Sequence, residues 1–272
     1  MEICGITGST GVLGKKIIKN LPFKFYKFKD DITNYYKVEK WINKKKIDLI
    51  IHLAALVPTY KVIKNYKKAY RINVLGTKNL IKAIEKKKNK PKWFFFASSS
   101  HVYKIQKKNI LLKESLRPKP YTKYGKTKFY AEKILIKNFA KKNFLCIGRI
   151  FSFTDKYQKN SYVVPNIYNK IKVSKSKKIE LKNLNHYRDF LSTKEIAFII
   201  FKLYKKNKTG IFNIGSGKKI NLKIIAKLIA KKYKKEIKFR DNKPTYLISN
   251  NSKLKKLNIK FKKFKNNLNY FY

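Results

Sequence analysis

The chain has 272 residues, 43% of them hydrophobic, which is enough to bury a sizeable core; this excludes disorder as the main state and predicts one large α/β domain, or one domain with a small appendage. Lysine and arginine number 69 against 14 acidic residues, a formal net charge of +55, yet only five of the cations are arginines (Arg71, Arg117, Arg149, Arg188, Arg240), the residue better suited to forked recognition of phosphates and base edges. The lysines run through every segment beside abundant Ile, Asn, Tyr and Phe, residues of AT-rich codons, so the charge reads as genome composition and a solvated coat, and neither a nucleic acid nor a membrane is expected as partner.

Taken in chain order, the first half alternates short apolar runs with amphipathic lysine-rich segments. Strand and helix patterns pair as Glu2 to Thr7 with Val12 to Asn20, Phe23 to Lys29 with Tyr35 to Lys45, Asp48 to Leu53 with Tyr66 to Lys88, and Trp93 to Ser98 with Lys123 to Lys141. Phe144 to Ile150 adds a further strand. Such alternation predicts parallel strands joined by right-handed crossovers, a doubly wound sheet.

Later the pattern loosens. Helices are expected around Val164 to Val173, Thr193 to Lys206 and Leu222 to Lys234, with strands near Lys178 to Leu181 and Gly210 to Ile214, and the lysine- and asparagine-biased tail from Lys253 is expected to be the least ordered part. The expected division is a first domain over 1–150 and a second lobe over 151–272, from which about 184–214 returns to the first domain. Cys4 and Cys146 each lie in an apolar strand-like run, as buried thiols of a reducing compartment would. The chain starts on a strand pattern with no charged-then-apolar leader, and its longest apolar stretch, Ile47 to Pro58, is broken by Asp48 and His52; a cytoplasmic protein is expected.

Thr7-Gly8-Ser9-Thr10-Gly11-Val12-Leu13-Gly14 follows the first strand and opens the first helix, where a phosphate-binding loop belongs. Gly8 permits the tight turn, Gly11 lets a pyrophosphate approach the backbone, and Gly14 permits close packing of helix on strand. Free N–H groups and the helix dipole would hold the diphosphate. An acidic residue about 20 positions on would bind ribose hydroxyls and favour NAD, and Asp30 and Asp31 stand there.

Trp93 to Ala97 reads as a buried strand ending in Ser98-Ser99-Ser100-His101, which brings hydroxyls to the carboxyl edge of the sheet, where α/β proteins bind ligands. Tyr124 and Lys128 lie four apart at the head of a helix, on one face. A phenol with an ordinary pKa of about 10 is a poor base at neutral pH, but a neighbouring ammonium stabilises the phenolate, so Tyr124 could exchange a proton with a substrate hydroxyl or carbonyl. His52 and Tyr103 read as structural and core residues, and His186 as a loop residue.

These motifs together resemble the extended short-chain dehydrogenase/reductases acting on nucleotide sugars, the NAD-dependent epimerase/dehydratase family, with its three-and-three glycine spacing. The resemblance extends to His52-Leu53-Ala54-Ala55, Asn73-Val74-Leu75-Gly76-Thr77, Arg188-Asp189-Phe190 and Phe212-Asn213-Ile214-Gly215-Ser216-Gly217. It implies a Rossmann-type sheet and a bound NAD or NADP. The cofactor would meet residues 8–14 (Gly8, Ser9, Thr10, Gly11, Val12, Leu13 and Gly14), Asp30, Asp31, Ile32, Leu53, Ala54, Ala55, Asn73, Ser98, Tyr124 and Lys128. Asp31-Ile32 resembles the family's adenine-contacting pair; in that reading Lys27 or Lys29 faces a ribose phosphate and NADP becomes the cofactor.

The resemblance also implies Tyr124 as acid/base, Lys128 as its pKa modifier and ribose ligand, and Ser99, three before Val102, as the hydrogen bonder to the reacting oxygen. A nucleoside-diphosphate sugar would meet Ser99, Ser100, His101, Ser152, Val164 and Arg188, the arginine at the diphosphate. Ser100-His101 stand where the 4,6-dehydratases carry an Asp-Glu pair, which argues against water elimination, and His101 occupies the place of a cysteine acid/base in GDP-fucose synthase. Ser152 replaces an asparagine that many relatives use on the substrate. The implied activity is 4-keto reduction or 4-epimerisation for surface-polysaccharide precursors, by a homodimer packed through the helices near Tyr66 to Lys88 and Lys123 to Lys141. The competing expectation is a non-catalytic dinucleotide-binding protein whose basic surface holds RNA or membrane.

Overall fold

A run such as Trp93 to Ser99, aromatic on both faces, needs cover on each side; it forms a strand in which every residue is buried. The structure, a computed structural model, describes residues 1–57, 59–139, 143–259 and 261. Two units divide it: Met1–Lys104, Leu116–Ile150 and Ile196–Phe212 form the first, and Ile105–Ser115, Phe151–Glu195 and Asn213–Tyr272 the second.

In chain order the elements begin β1 (Ile3–Thr7), α1 (Val12–Asn20), β2 (Lys24–Lys27), α2 (Tyr35–Lys44) and β3 (Leu49–His52). Next come α3 (Thr59–Lys64), α4 (Tyr66–Tyr70), a π turn (Arg71–Leu75), α5 (Gly76–Lys86), β4 (Trp93–Ser99) and a 3₁₀ turn (Ser100–Val102). They continue with β5 (Leu111–Leu112), α6 (Lys123–Phe139), β6 (Leu145–Ile150), β7 (Ser152–Thr154), α7 (Val163–Val173), β8 (Lys178–Lys182), β9 (His186–Arg188) and β10 (Phe190–Ser192). The last are α8 (Thr193–Lys205), β11 (Gly210–Ile214), β12 (Ile220–Asn221), α9 (Leu222–Lys232), β13 (Glu236–Arg240), β14 (Thr245–Ser249) and α10 (Ser252–Lys255).

In the first unit the strands lie in the order β11-β6-β4-β3-β1-β2, with β2, β1, β3, β4 and β6 pairing in parallel. This is the Rossmann-type doubly wound sheet that the alternating pattern predicts. The chain leaves β1 towards β2 on one side and returns to β3 on the other, so the order reverses at the carboxyl end of β1, where Gly8 begins its loop. Helices α2, α5 and α6 bury their apolar stripes in a core that includes Trp41, Leu80, Ile84, Phe94, Leu135 and Phe139. In the second unit α7 and α9 pack together through Ile167, Ile171, Ile225 and Ile229, beside the parallel pair β8–β13 and the small sheet β12-β9-β14-β5.

Departures from the sequence reading have local causes. The helix expected over Tyr66 to Lys88 is interrupted by the π turn, in which Asn73 turns its amide towards Leu56; π bulges commonly mark functional sites. The helix expected to Lys141 is described to Phe139, and Ala140, Lys141 and Lys142 lie outside the described residues, as does the expected tail beyond Phe261. Ile105–Ser115 joins the second unit because β5 pairs with β14, and of the stretch 184–214 the part in the first unit is Ile196–Phe212. Strands β5, β7, β9, β12 and β14 carry no period that an isolated segment reveals; distant partners make them.

Candidate active site

The glycine loop is built by close backbone approaches. Gly8 has φ +72°, the left-handed region that favours glycine, and a Cβ there would sit 2.7 Å from the nitrogen of Ala54. A Cβ on Gly14 would lie 2.3 Å from Gly8 O, so only glycine lets α1 pack this tightly on the loop. A Cβ on Gly11 meets nothing nearer than Gly8 O at 3.3 Å, and Gly11 caps α1 with no side-chain hydrogen bond, leaving the first N–H groups of the helix to another acceptor. Thr10 and Gly11 are exposed and Val12 half-buried, while Ser9 and Leu13 are turned inward. An open backbone rim at a helix N-terminus fits a dinucleotide diphosphate.

Asp30 and Asp31 are both exposed. Asp30 pairs with Lys37 at 2.9 Å, and Asp31 Oδ1 accepts from Thr33 N at 2.9 Å, the hydrogen bond that holds its carboxyl below the usual range. Ile32 is buried against Gly76, where a Cβ would come within 2.6 Å of Ile32 Cγ2; its side chain belongs to the core.

Under the cofactor loop, His52 is fully buried, as expected of a structural hydrogen bonder. Ala54 N donates to Thr7 Oγ1 (3.2 Å), so the Thr7 hydroxyl donates to His52 Nδ1 (2.6 Å); Thr77 Oγ1 donates to Asn73 O (2.8 Å) and accepts from His52 Nε2 (2.9 Å). One neutral tautomer satisfies all four, and burial pushes the ring's pKa down to about 3. Asn73, expected at the cofactor, spends its amide otherwise: Oδ1 accepts from Leu56 N at 2.6 Å and Nδ2 donates to Thr127 Oγ1 at 2.9 Å, because the π turn points it into the protein. Leu53, Ala54 and Ala55 remain half-buried around the loop.

Ser99 ends β4 and Tyr124 and Lys128 lie on the first turns of α6. Ser99 Oγ accepts from His101 N at 3.2 Å. Tyr124 is half-buried, with its ring edge-on to His101 at 5.8 Å; His101 stacks on Tyr121 and meets Thr122 Oγ1 at 3.3 Å. Gly125 makes this fit, since a Cβ there would lie 2.1 Å from His101 O. Lys128 is 2% exposed, donates to Ala97 O at 2.7 Å and lies 4.8 Å from the centre of the Phe96 ring. Burial lowers its pKa to about 7, opposed by the attraction of Glu132.

Ser98, expected at the cofactor, turns its side chain to a structural partner: successive strand side chains point to opposite faces, and its hydroxyl donates to Glu132 of α6. Sequence reasoning missed Glu132, which also binds Arg149 of β6 (Nη2 to Oε2, 2.8 Å), and Arg149 reaches the hydroxyl of Tyr103 at 2.9 Å. A signal was present. Lys128, Ala131, Glu132, Leu135 and Phe139 form the buried stripe of α6, so a carboxylate on an apolar helix face asks for a buried partner.

In the second unit, Ser152 lies half-buried on β7 opposite Phe190, and Ser100, in the first, is buried. Val164 is 1% exposed and packs in the second core; its side chain is a core group, because it faces the helix-packing side of α7. Arg188 Nη1 donates to Tyr187 O (2.9 Å) and Thr245 O (3.1 Å). The neighbouring Asp189 is fully buried and accepts from Ser216 N and Oγ, Gly217 N, and Ser249 N and Oγ, tying the Ser216-Gly217 turn to β14; burial raises its pKa despite these donors. His186, expected in a loop, sits on β9 with Nδ1 2.8 Å from Thr245 Oγ1.

Comparisons with known proteins identify the family and the fold. The family model described as GDP-mannose 4,6 dehydratase matches residues 6–269. The GDP-6-deoxy-D-talose 4-dehydrogenase of Aggregatibacter actinomycetemcomitans is 34% identical over 74% of this chain and 69% of its own length. The GDP-6-deoxy-D-mannose reductase of Pseudomonas aeruginosa is 25% identical over 67% of this chain, a stretch that spans less than two thirds of that relative, 62%. The structure of RMD from Pseudomonas aeruginosa complexed with NADPH superposes with a TM-score of 0.87 at 20% identity, covering 100% of this chain and 97% of that one. The Thermus thermophilus UDP-glucose 4-epimerase in complex with NAD gives 0.84 at 17% identity over 99% and 97%; at such identities the likeness speaks for the fold. With a family model spanning nearly its whole length, this chain belongs to the GDP-mannose 4,6-dehydratase group of the extended short-chain dehydrogenase/reductases, the NAD(P)-dependent epimerases, dehydratases and reductases of nucleotide sugars.

Proposed function

We propose that the protein is an NAD(P)-dependent nucleotide-sugar 4-keto reductase or 4-epimerase serving surface-polysaccharide precursor synthesis. The observation that carries this reading is the burial of Lys128, one helical turn after Tyr124 on α6, with Nζ on Ala97 O, two residues before Ser99. A cation so placed favours the phenolate of Tyr124, whatever the sugar.

The glycine loop would hold the diphosphate of the dinucleotide on the N–H groups after Gly11, which would supply or accept hydride at the sugar carbon. The chain's own residues handle the proton. Tyr124 takes it from the sugar hydroxyl in oxidation and returns it in reduction, Lys128 offsets the charge that appears on the phenol, and Ser99 hydrogen-bonds the reacting oxygen. His101, edge-on to Tyr124, lines the same place, and Ser100-His101 in place of an Asp-Glu pair favours hydride chemistry without water loss. Arg188 would meet the substrate diphosphate and Ser152 the sugar.

The relatives named for GDP-6-deoxy sugars suggest a GDP-linked substrate. The test is mass spectrometry of the cofactor released from gently purified protein, with turnover measured on nucleoside-diphosphate sugars and their 4-keto forms and Tyr124→Phe as control. Retained NAD with interconversion of 4-epimers identifies the epimerase, and consumption of NAD(P)H on 4-keto sugars the reductase. No turnover on the panel, unchanged by Tyr124→Phe, overturns the reading. A second copy of the chain is the proposed partner of α4 and α6, where Tyr70 and Tyr130 meet at 6.1 Å and Tyr130 and Ile136 are exposed. Ile136→Lys should then halve the mass seen in sedimentation.

A further inference from the structure

Two side chains one turn apart on α6 hold two consecutive residues of β4. Lys128 Nζ donates to Ala97 O at 2.7 Å, and Glu132 accepts from the hydroxyl of Ser98. Ser99, the residue assigned to the reacting oxygen, is next along the strand. Glu132 is held in turn by Arg149, whose Nε lies 3.1 Å from Oε1 and whose Nη2 lies 2.8 Å from Oε2. Arg149 Nη1 donates to the Tyr103 hydroxyl at 2.9 Å, and the guanidinium carbon lies 4.9 Å from the centre of that ring.

Ser98, Tyr103, Glu132 and Arg149 are all buried, none more than 3% exposed. An ion pair taken out of water recovers its desolvation cost only with good geometry, and an apolar pair of similar volume often holds a fold as well or better. The pair's location supplies another role. Its carboxylate is one helical turn from the only lysine of α6 that the helix buries, and its hydroxyl partner is one residue from Ser99.

We propose that Glu132, balanced by Arg149, is the positioning residue of this site: it clamps the strand end carrying Ser99 to the helix carrying Tyr124 and Lys128, and it keeps Lys128 protonated. The inference rests on the Ser99, Tyr124 and Lys128 reading. The groups facing Lys128 are His52 from β3, held neutral by Thr7 and Thr77; the Ala97 carbonyl and the Phe96 ring from β4; Glu132 and Tyr124 on its own helix; and, behind Glu132, Arg149 from β6. Glu132 and Arg149 carry fixed charges of opposite sign, so removing each alone must move Lys128 in opposite directions. Loosened packing would not do that.

The test is a ¹³C/¹⁵N titration of lysine side chains in the full-length protein, with Lys128→Met identifying the resonance. Glu132→Gln should lower the Lys128 titration by about one unit and Arg149→Met should raise it by about one unit. Because a single variant leaves one buried charge unpaired and could fail to fold, the Glu132→Gln/Arg149→Met double variant is the decisive sample. It should fold, and its Lys128 titration should fall by less than in Glu132→Gln, since the carboxylate is the nearer charge. Ser98→Ala removes the clamp without changing charge; it should leave the titration in place and lower kcat about tenfold at unchanged KM. An unmoved titration in the double variant, or equal-direction shifts in the two single variants, overturns the proposal. The titration is read without turnover, so a silent sugar panel strikes the catalytic reading, whereas an unmoved titration strikes the clamp.

Discussion

The two units bury charge in different ways. The first buries Lys128, Glu132 and Arg149 within one helix and its neighbouring strands, with Glu132 paired to Arg149 and acting on Lys128. The second buries Asp189 against two serine hydroxyls and three backbone N–H groups, with no cation among its partners in the described residues. Charged partners make a group's protonation adjustable, as proton transfer requires; neutral donors fix a turn and leave little to adjust. The first arrangement suits the proposed proton transfer, whereas the second holds a turn.

The sharpest way to break this comparison is at the site. Tyr124→Phe and Lys128→Met should each lower turnover by about 10²- to 10⁴-fold. Lys128→Met should nevertheless stabilise the protein without added dinucleotide. The folded pKa of Lys128 is lowered from 10.5 to about 7, so the unfolded chain holds the proton more tightly, and the resulting penalty is absent above pH 10.5 and grows as pH falls towards about 7. Relieving it at pH 7 is worth on the order of a few kcal/mol, or roughly 2–4 °C in Tm per kcal/mol for a chain of this size. A lower Tm in Lys128→Met would make the buried lysine a structural group and erase the contrast.

Gly14→Ala places a Cβ 2.3 Å from Gly8 O and should cost about 1–3 kcal/mol or more in thermal unfolding. Gly11→Ala puts a Cβ 3.3 Å from Gly8 O, a tight contact that a small shift relieves, and should cost about 1 kcal/mol or less while weakening dinucleotide binding measured by calorimetry. Equal stability losses would mean that Gly11 is a packing residue and not part of a phosphate rim.

Asp189→Asn turns an amide N–H₂ towards donors and should destabilise the second unit by about 1–3 kcal/mol, read in urea denaturation, with dinucleotide affinity unchanged. A loss of dinucleotide affinity would show that the turn does more than tie strands.

A smaller effect than those at the site is expected from acid. His52 is buried neutral with its pKa lowered from 6.5 to about 3, so its contribution is fully present above pH 6.5 and is lost as pH falls from there towards about 3. Between pH 6.5 and pH 5 this amounts to about 2 kcal/mol, and His52→Asn should flatten the slope. Lys128 does not contribute in that window, being protonated in both states below about pH 7.

Much of the first unit was legible because its signals are local. The glycine spacing, the all-apolar strand Trp93 to Ala97 and the four-residue step from Tyr124 to Lys128 are properties of contiguous segments. The side chains of Ser98, Asn73 and Val164 meet partners within the fold that their motifs do not report, because side-chain direction depends on strand pleat, π turn and helix face. Glu132 and Arg149 are 17 residues apart and meet only when β6 pairs with β4 and α6 covers them. In the second unit β9, β12 and β14 are two to five residues long and exist only through one another.

By itself the sequence determined the doubly wound class and the loop at the first strand end, because periodicity and close spacing suffice for these, while the roles proposed for Ser99, Tyr124 and Lys128 rest on the family resemblance. Only the tertiary structure decided which serine faces the helix, that Lys128 is fully enclosed, and that a buried carboxylate and guanidinium stand behind it. Those outcomes depend on burial and on charges brought together across distant segments, and the energy of a buried charge is set by the groups packed around it.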